Sequence, residues 1–323
     1  MQRFADVKVT KILVHPIKSC RGTSVSQSRY DKFGLEFDRR FAIIDAETHE
    51  VITARTHPKM VLIHPTIEED NRDENAGTLA ISFPSDSDCQ SFKIPLLPCP
   101  RLLSEWQTLG DVKLWGREDI DGHICQTVNS CTENTPSKTI SKYLGREVLL
   151  VAKGQKARPC HATFDFPTLK ATAMYQDGYP LLIASEESLV SVQERMMSEV
   201  GKQSVSDRWA EDQLVMERFR PNIVMQGAGI PWAEDLWETI QIGGNTSTIC
   251  LVSKCTRCLL PNVDPDTGIR DKAVPFKILM KFRTGKDPAR LKQPCFGCNA
   301  VPSGSGVVRV GDPVHVLSLL PPA

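Results

Sequence analysis

The chain has 323 residues, of which 41% are hydrophobic and 24% are charged. This composition is typical of a soluble globular protein, and the length is enough for two domains of ordinary size. Lysine and arginine together number 39, as do aspartate and glutamate, so the formal net charge is zero. Because binding to nucleic acid needs a basic excess or stripe, the charge argues against nucleic acid as the main partner. No stretch reaches the ~18 apolar residues of a membrane helix, so we expect no membrane segment in this chain.

The chain carries 11 cysteines, an odd number spread over its whole length. The N-terminal residues 1–6 have neither the apolar run nor the cleavage site of a signal peptide. We therefore expect reduced thiols rather than a disulfide framework. The expected location is cytoplasmic, unless an N-terminal anchor precedes this chain.

Short strands dominate residues 7–127, separated by clusters of Gly, Pro, Asn and Asp. No run there has the length and 3.6-residue period of a core helix, which predicts a β-rich N-terminal domain. The stretch Glu68–Ala76 is polar and predicts a loop. The predicted strands are Val7–Val14, Phe41–Asp45, Met60–Pro65, Leu79–Phe83, Phe92–Ile94, Val112–Trp115 and Ile124–Val128.

The connection between the two halves lies within residues 130–175. Asn134–Ser137 can open a helix with proline in its first turn, and Gly145 ends it after Leu144. A strand is predicted over Glu147–Val151. The irregular stretch 153–176 is a candidate loop over a site.

More helix is predicted in the second half. Ser185 caps a helix that runs to about Val200 and turns Leu189, Val192 and Met196 towards the core. A second helix is predicted over residues 207–218. The predicted strands are Ile223–Met225, Thr239–Ile242, Ser247–Val252, Val307–Val310 and Val314–Leu319.

Three segments place polar and cationic groups at turns beside predicted strands. Lys18 and Ser19 follow the first strand, where backbone amides, a hydroxyl and an ammonium could together bind an anion. Arg40 stands at the start of the next strand, where it could point at a phosphate. Arg220 and Asn222, two residues apart, would project to one side of an extended chain. Each segment alone also fits a surface turn, a surface ion pair or a plain connection.

The segment Lys254–Leu260 contains the most informative cysteine, Cys258. A thiolate is a soft ligand suited to thiophilic metals, and Arg257 beside it would favour the thiolate form. Cys255 makes a close pair with Cys258, and a second close pair stands at Cys295 and Cys298. Two such pairs are also the ligand set of a structural zinc ribbon, although the gap exceeds the usual ~15–20 residues. Cysteine spacing alone leaves both kinds of metal site open.

Five segments in a fixed order give the chain a family likeness. The segments are Pro16–Cys20, Asp38–Phe41, Phe219–Asn222, Cys255–Cys258 with Asp264–Gly268, and Val310–Val314. Over about residues 7–319 the chain resembles the MOSC-domain superfamily, in the branch that has a MOSC N-terminal β-barrel domain and includes amidoxime-reducing proteins. The resemblance implies a mixed α/β (α+β) fold. Residues 7–130 would form a β-rich, barrel-like N-terminal domain, and residues 150–320 a MOSC β-barrel domain with flanking helices.

The resemblance also implies a cofactor, molybdopterin carrying one molybdenum. By position, Cys258 matches the cysteine that ligates the metal and is the implied catalytic residue. Thr256 and Arg257 match neighbours that line the pterin and its phosphate. The other implied cofactor contacts are Lys18, Ser19, Arg40, Asp177, Gly178, Arg220, Asn222 and Asn299. Asn299 stands where the family has an aromatic contact. Cys255 has no ligand role in the family, and we expect it to be structural.

Members of this type reduce N-hydroxylated substrates such as amidoximes and hydroxylamines. Their electrons come from NADH through NADH-cytochrome b5 reductase and cytochrome b5, so these two proteins are the implied partners. The chain has no dinucleotide-binding fingerprint, which fits an enzyme that receives electrons from a separate carrier. The implied location is cytoplasmic, or the mitochondrial outer membrane if an N-terminal anchor is missing from this chain.

The superfamily also contains proteins without reductase activity. Some bind or carry the molybdenum cofactor, and in the sulfurases the MOSC part follows a desulfurase domain that binds pyridoxal phosphate. This chain starts at the barrel, so we expect no such upstream domain here. A reductase assay with cytochrome b5 and an amidoxime separates these alternatives.

Overall fold

The computed structural model of the protein describes residues 6–69, 77–128, 135–202 and 204–321. The predicted loop Glu68–Ala76 and Asn134 lie largely outside this range. Strand residues make up 36% and helix residues 17%, which confirms the expected mixed α/β class with an excess of strand. Within the described ranges, no helix is both long and apolar enough to cross a membrane.

In the described part of the chain, the strands are β1 Lys8–Val14, β2 Thr23–Val25, β3 Gln27–Asp31, β4 Gly34–Leu35, β5 Phe41–Asp45, β6 His64–Glu69, β7 Gly77–Ser82, β8 Phe92–Pro95, β9 Thr108–Leu114, β10 Arg117–Ile124, β11 Val148–Lys153, β12 Arg158–Pro159, β13 Thr172–Ala173, β14 Leu181–Ser185, β15 Ile223–Gln226, β16 Trp237–Ile242, β17 Ile249–Thr256, β18 Cys295–Pro302, β19 Gly306–Arg309 and β20 Val314–Leu319. The α-helices are α1 Pro100–Glu105, α2 Pro136–Leu144, α3 Glu186–Met197 and α4 Phe276–Met280.

The largest sheet joins both ends of the chain in the order β2-β1-β15-β14-β18-β17-β16-β20. Strand β1 runs antiparallel to β15, whereas β14 and β15 are parallel. One buried cluster under this sheet contains Ile12 and Phe41 from the first half and Ile183 and Ile223 from the second. Both halves of the chain share this core. The turn after β1, the segment just before β15 and the segment after β17 are therefore held in fixed positions relative to one another.

A second sheet, in the order β5-β11-β10-β9, packs on its own apolar cluster around Ile44, Val151 and Tyr175. It touches the turn after β1, where Lys18 N donates to Phe41 O at 2.9 Å. Tyr175 N donates to Arg39 O at 3.0 Å and places the end of the long loop 153–176 beside that turn. The two sheets therefore bring the N-terminal turn and this loop to one place.

Both helices with sequence-readable caps are confirmed. Helix α2 has Thr135 as its N-cap, whose hydroxyl accepts from Lys138 N, and Gly145 ends it in the left-handed conformation at φ 68°. Helix α3 begins after Ser185, as expected, and ends at Met197. These signals are local, so they do not depend on the rest of the fold.

Three element predictions were wrong. Residues 58–62 form a 3-10 turn that Pro58 opens, and the strand begins only at His64. The strand expected over 124–128 is instead β10, which ends at Ile124 and is rich in charged residues. The helix expected over 207–218 is two separate 3-10 turns, Asp207–Ala210 and Met216–Phe219. The first of these is fixed by Trp209, whose indole N–H donates to Asp271 at 2.8 Å.

Two central strands, β14 and β18, were missed. Strand β18 is buried at Cys295, Phe296, Gly297 and Cys298 in succession, so it has no polar alternation for the sequence to reveal. Parallel or fully covered strands lose that alternation because both faces meet the core. The pair Cys295 and Cys298 is therefore part of a buried central strand.

Candidate active site

Cys258 lies just beyond the end of β17, before the 3-10 turn Leu260–Asn262. The side chain is half-buried, and Leu260 N donates to its Sγ at 3.4 Å. The neighbouring Leu259 is 45% exposed. The thiol is thus held at a surface-accessible strand end and is not enclosed by apolar packing.

Lys18 lies in the turn after β1 and is buried, with 5% of the residue exposed. Its ammonium donates to Tyr175 O at 2.8 Å and to Asp177 Oδ1 at 2.5 Å. Asp177 is the solvent-exposed end of this contact, with 63% of its side chain exposed. Trp115 Nε1 also donates to Asp177, at 3.2 Å, and the Arg55 guanidinium lies 3.9 Å above the Trp115 ring. Asp177 thus fixes the Lys18 ammonium and connects it to the more exposed side chains of Trp115 and Arg55.

Burial lowers the pKa of Lys18 to about 8, and the Asp177 carboxylate limits the fall. A lysine in the unfolded chain titrates near pH ~10.4. Between these values the unfolded chain binds more protons than the folded chain, so the cost of burying the charge disappears as the pH rises. The cost is fully present below pH 8, where Lys18 is a cation.

We therefore expect the stability of wild type relative to Lys18→Met to increase from pH 8 to about pH 10.4, by up to about 1.4 kcal/mol per pH unit. Unfolding both proteins with denaturant from pH 6.5 to 10.5 measures this difference in unfolding free energy. Below pH 8 the difference in unfolding free energy should be constant. A difference that stays constant over the whole range would contradict the burial of this ammonium.

Arg220 joins the two halves of the chain at this site. It adopts a left-handed backbone conformation with φ 57°, and its Nη1 donates to Cys20 O at 2.7 Å. Arg39 Nη2 donates to Arg220 O at 3.0 Å while Arg39 Nη1 contacts the Asp38 carboxylate at 2.7 Å. The second terminal nitrogen of Arg220 is buried without a hydrogen-bond partner. Because burial lowers the pKa of Arg220, binding of an anion there would recover part of its desolvation cost.

Arg257 is buried beside Cys255, not beside the thiol of Cys258. Its Nη1 lies 3.1 Å from Cys255 Sγ, and its Nη2 donates to Phe219 O at 2.6 Å. The expectation that Arg257 acts directly on Cys258 is therefore corrected to the neighbouring thiol. Burial raises the pKa of Cys255, and the Arg257 charge opposes that rise. The Arg257 Nε atom is buried without a partner.

The structure does not bring Arg40 into this cluster. Its nearest charged neighbours are Asp31 and Glu36, and it lines a separate cavity of about 430 Å³. Arg39 lies in a turn at φ 49°, and its guanidinium, rather than that of Arg40, donates to Arg220 O. The sequence motif located this segment, but the choice between its two arginines depends on the backbone conformation of the turn.

Asn222 is likewise removed from the cluster. Its Oδ1 accepts from Leu182 N at 3.1 Å and its Nδ2 donates to Leu13 O at 3.3 Å, and 1% of the residue is exposed. It therefore links β14 to β1. The argument from alternation failed because Arg220, at positive φ, breaks the extended conformation between the two residues.

Of the four remaining residues predicted to contact the cofactor, two lie next to the Lys18–Asp177 contact and two do not. Ser19 is buried next to Lys18 with φ 67°. Gly178 follows Asp177, and nothing lies within 4 Å of the position its Cβ would take. Thr256 Oγ1 accepts from Arg290 at 3.2 Å, and Asn299 Nδ2 donates to Ser253 Oγ at 3.0 Å. Ser19 and Gly178 thus flank the Lys18–Asp177 contact, whereas the side chains of Thr256 and Asn299 contact other groups.

The four cysteines of the zinc hypothesis do not form one ligand cluster. Cys298 is buried, and its Sγ donates to Glu234 O at 3.3 Å. Among the residues that the structure describes, no group of three His, Cys, Asp or Glu side chains could hold a metal ion. A zinc ribbon built from Cys255, Cys258, Cys295 and Cys298 therefore has no support.

Residues that the sequence reasoning missed are Arg39, Arg55 and Trp115. Arg55 and Trp115 come from the N-terminal half, where they stack on each other, and both also contact Asp177 from the second half. A cavity of about 350 Å³ is lined by Arg220, His15, Leu260 and neighbouring side chains. No sequence signal marks either feature except the adjacency of Arg39 to Arg40.

Comparison with known proteins identifies the family of this chain. The model of the MOSC N-terminal beta barrel domain matches residues 6–119, and that of the MOSC domain matches residues 170–315. The mitochondrial amidoxime-reducing component 1 of Mus musculus is 30% identical over 96% of this chain and 82% of its own length. The human mitochondrial amidoxime-reducing components 1 and 2 are each 29% identical and cover 96% and 95% of this chain. The chain therefore belongs to the MOSC family with an N-terminal MOSC β-barrel domain, together with the amidoxime-reducing components.

Proposed function

We propose that this chain is a molybdenum-cofactor-dependent oxidoreductase that reduces N-hydroxylated compounds such as amidoximes and hydroxylamines. The relatives that are named amidoxime-reducing components support the reaction class. The observation that carries the proposal is a connected set of cations from both halves of the chain. Lys18 lies beside Arg39, and Arg39 contacts Arg220. Arg257 contacts Phe219 O and Cys255, which in turn interacts electrostatically with the half-buried Cys258. A site with a few cations and one accessible thiol suits an anionic, metal-bearing group.

The residues present fit molybdopterin with its phosphate. Arg220 and Arg257 each have one buried N–H group without a hydrogen-bond partner, and so has Arg55. Leaving such groups unpaired is costly, and phosphate oxygens or the polar edge of a pterin would satisfy them. The other polar contacts of these arginines hold them in place, so no large rearrangement is needed.

Each residue has a separate part in the proposed site. Cys258 would hold molybdenum through its thiolate, and the cofactor, when bound, supplies two-electron redox chemistry at the metal. Lys18 and Arg220 would bind the anionic end, since their burial reduces screening by solvent. Asp177 orients the Lys18 ammonium and accepts a hydrogen bond from Trp115 Nε1. Ser19 and Gly178 would contribute from the adjoining backbone, and Arg40, Asn222, Thr256 and Asn299 are not needed in direct contact.

The proposed electron donor is cytochrome b5, reduced by NADH-cytochrome b5 reductase. The chain itself carries no dinucleotide-binding motif, which supports delivery by a separate protein. The proposed location is cytoplasmic, or the mitochondrial outer membrane if an anchor is missing from this chain. The names of the relatives favour mitochondria.

Metal analysis combined with a reconstituted assay tests the proposal. The protein is produced in cells that make the molybdenum cofactor, and its metals are measured by mass spectrometry. We expect about one molybdenum per chain and NADH-dependent reduction of an aromatic amidoxime when cytochrome b5 and its reductase are added. Bound molybdenum without turnover would favour a carrier or sulfurase-type protein, and zinc without molybdenum would overturn the assignment.

A further inference from the structure

The loop Gly285–Gln293, just before β18, exposes Lys286, Arg290 and Lys292. Lys281 and Arg283, which precede it, are paired with Glu199 and Asp235. Within the described ranges, no ion pair involves the three loop cations. The loop contains one carboxylate, Asp287, so its formal charge is +2 in a chain whose net charge is zero.

This loop has a defined shape. Gly285 N donates to Leu291 O at 2.9 Å and closes its base, and Gln293 N donates to Arg290 O at 2.9 Å. Ala289 N donates to the Asp287 carboxylate at 3.0 Å. The side chain of Leu291, at the closed base, is 60% exposed. The loop therefore presents an apolar side chain between cations on a fixed backbone.

Direct contacts connect the loop to the candidate active site. Arg290 donates to Thr256 Oγ1 at 3.2 Å, and Arg257 N donates to Pro294 O at 2.7 Å. Thr256 and Arg257 directly precede Cys258. The loop is thus attached to the strand end that carries the proposed metal ligand.

The long loop 153–176 extends the same surface. Phe164 is 74% exposed, and Lys170 is an exposed cation in the same loop. The Tyr179 hydroxyl donates to His161 O at 3.0 Å, and Tyr179 also lies beside Asp287 and Arg290. Tyr179 therefore joins the two loops, and we call their exposed residues the basic rim: Phe164, Lys170, Lys286, Arg290, Leu291 and Lys292.

We infer that the basic rim is the docking surface for an electron-carrier domain whose own redox centre is surrounded by carboxylates. This inference rests on the proposed function, because it assigns a place to the donor of that reaction. Complementary charge accelerates and orients a transient encounter, and exposed apolar side chains at its centre exclude water from the contact. Docking there brings the carrier to a loop that directly contacts Thr256 and Arg257, the two residues before Cys258, and electron transfer requires such proximity.

Two double charge reversals with the same change of net charge test the inference. Lys286→Glu with Lys292→Glu alters the rim, and Lys8→Glu with Lys202→Glu alters exposed lysines elsewhere on the full chain. Binding of soluble cytochrome b5 is titrated at low and at physiological ionic strength. We expect the rim variant to bind about tenfold more weakly at low salt, the control to bind like wild type, and the difference to shrink as salt rises.

Equal affinity of the rim variant and wild type, equal weakening in both variants, or no binding of cytochrome b5 to wild type would overturn the docking inference. The inference would also be overturned if the rim variant alone lost a salt-dependent binding to phosphatidylserine vesicles while its binding of cytochrome b5 stayed unchanged. Activity with a chemically reduced viologen should be the same in all three proteins. If the carrier docks on the rim but no amidoxime is reduced with either donor, the proposed reaction fails and the docking surface stands.

Discussion

The Cys258→Ser variant is expected to contain less than about a tenth of the wild-type molybdenum and to lose amidoxime reduction by at least about 100-fold. Removing a residue that merely supports a metal ligand typically costs about 10–100-fold in metal affinity or activity, so loss of the ligand itself should reach at least the upper end. Serine keeps the size of the side chain but replaces a soft sulfur donor by a hard hydroxyl. Metal content by mass spectrometry and cofactor content by pterin fluorescence report the effect independently of turnover.

Cys250→Ser is the matched control for this variant. Cys250 lies on β17, the strand that leads to Cys258, and is also half-buried. Its sulfur lies 3.9 Å from Thr239 Oγ1. We expect it to keep metal and turnover. Both variants should unfold within roughly 0.5 kcal/mol of wild type, because neither thiol is in the core. Retention of metal and full turnover by Cys258→Ser would remove the basis of the proposed function.

The fold was predictable where its signals are local. The caps at Thr135 and Ser185 and the strands β1, β5 and β20 follow from capping chemistry and short apolar runs. The misses occur where tertiary structure decides. Strand β18 is covered on both faces, and residues 207–218 form two turns because Trp209 is held by Asp271. Neither the burial of a strand nor such a side-chain contact is visible in a local pattern.

The candidate site was predictable as a set of segments but not as a set of contacts. The turn with Lys18 and the strand end with Cys258 were found from residue type and order. Which of Arg39 and Arg40 faces the site depends on the local backbone. The cysteine that Arg257 contacts is Cys255, two residues before it, and not the adjacent Cys258. The part that Arg55 plays follows only from packing against Trp115.

Substitution of Asn222 can distinguish a structural role of this residue from a role in binding the cofactor. Asn222→Ala would leave Leu182 N and Leu13 O unpaired in a buried site, and each such group costs roughly 1–3 kcal/mol. We expect a loss of about 2–4 kcal/mol in unfolding free energy, measured with denaturant, with molybdenum content per folded chain unchanged.

Asn299→Ala removes one half-buried contact, to Ser253 Oγ, so it should cost no more than about 1 kcal/mol and serves as the control. A fall in molybdenum without a fall in stability in Asn222→Ala would place this amide at the cofactor instead. A fall in stability with unchanged molybdenum would mean that the Phe219–Asn222 segment has two roles. Arg220 presents a cation to the site, and Asn222 links the strands β1 and β14 that hold this cation in position.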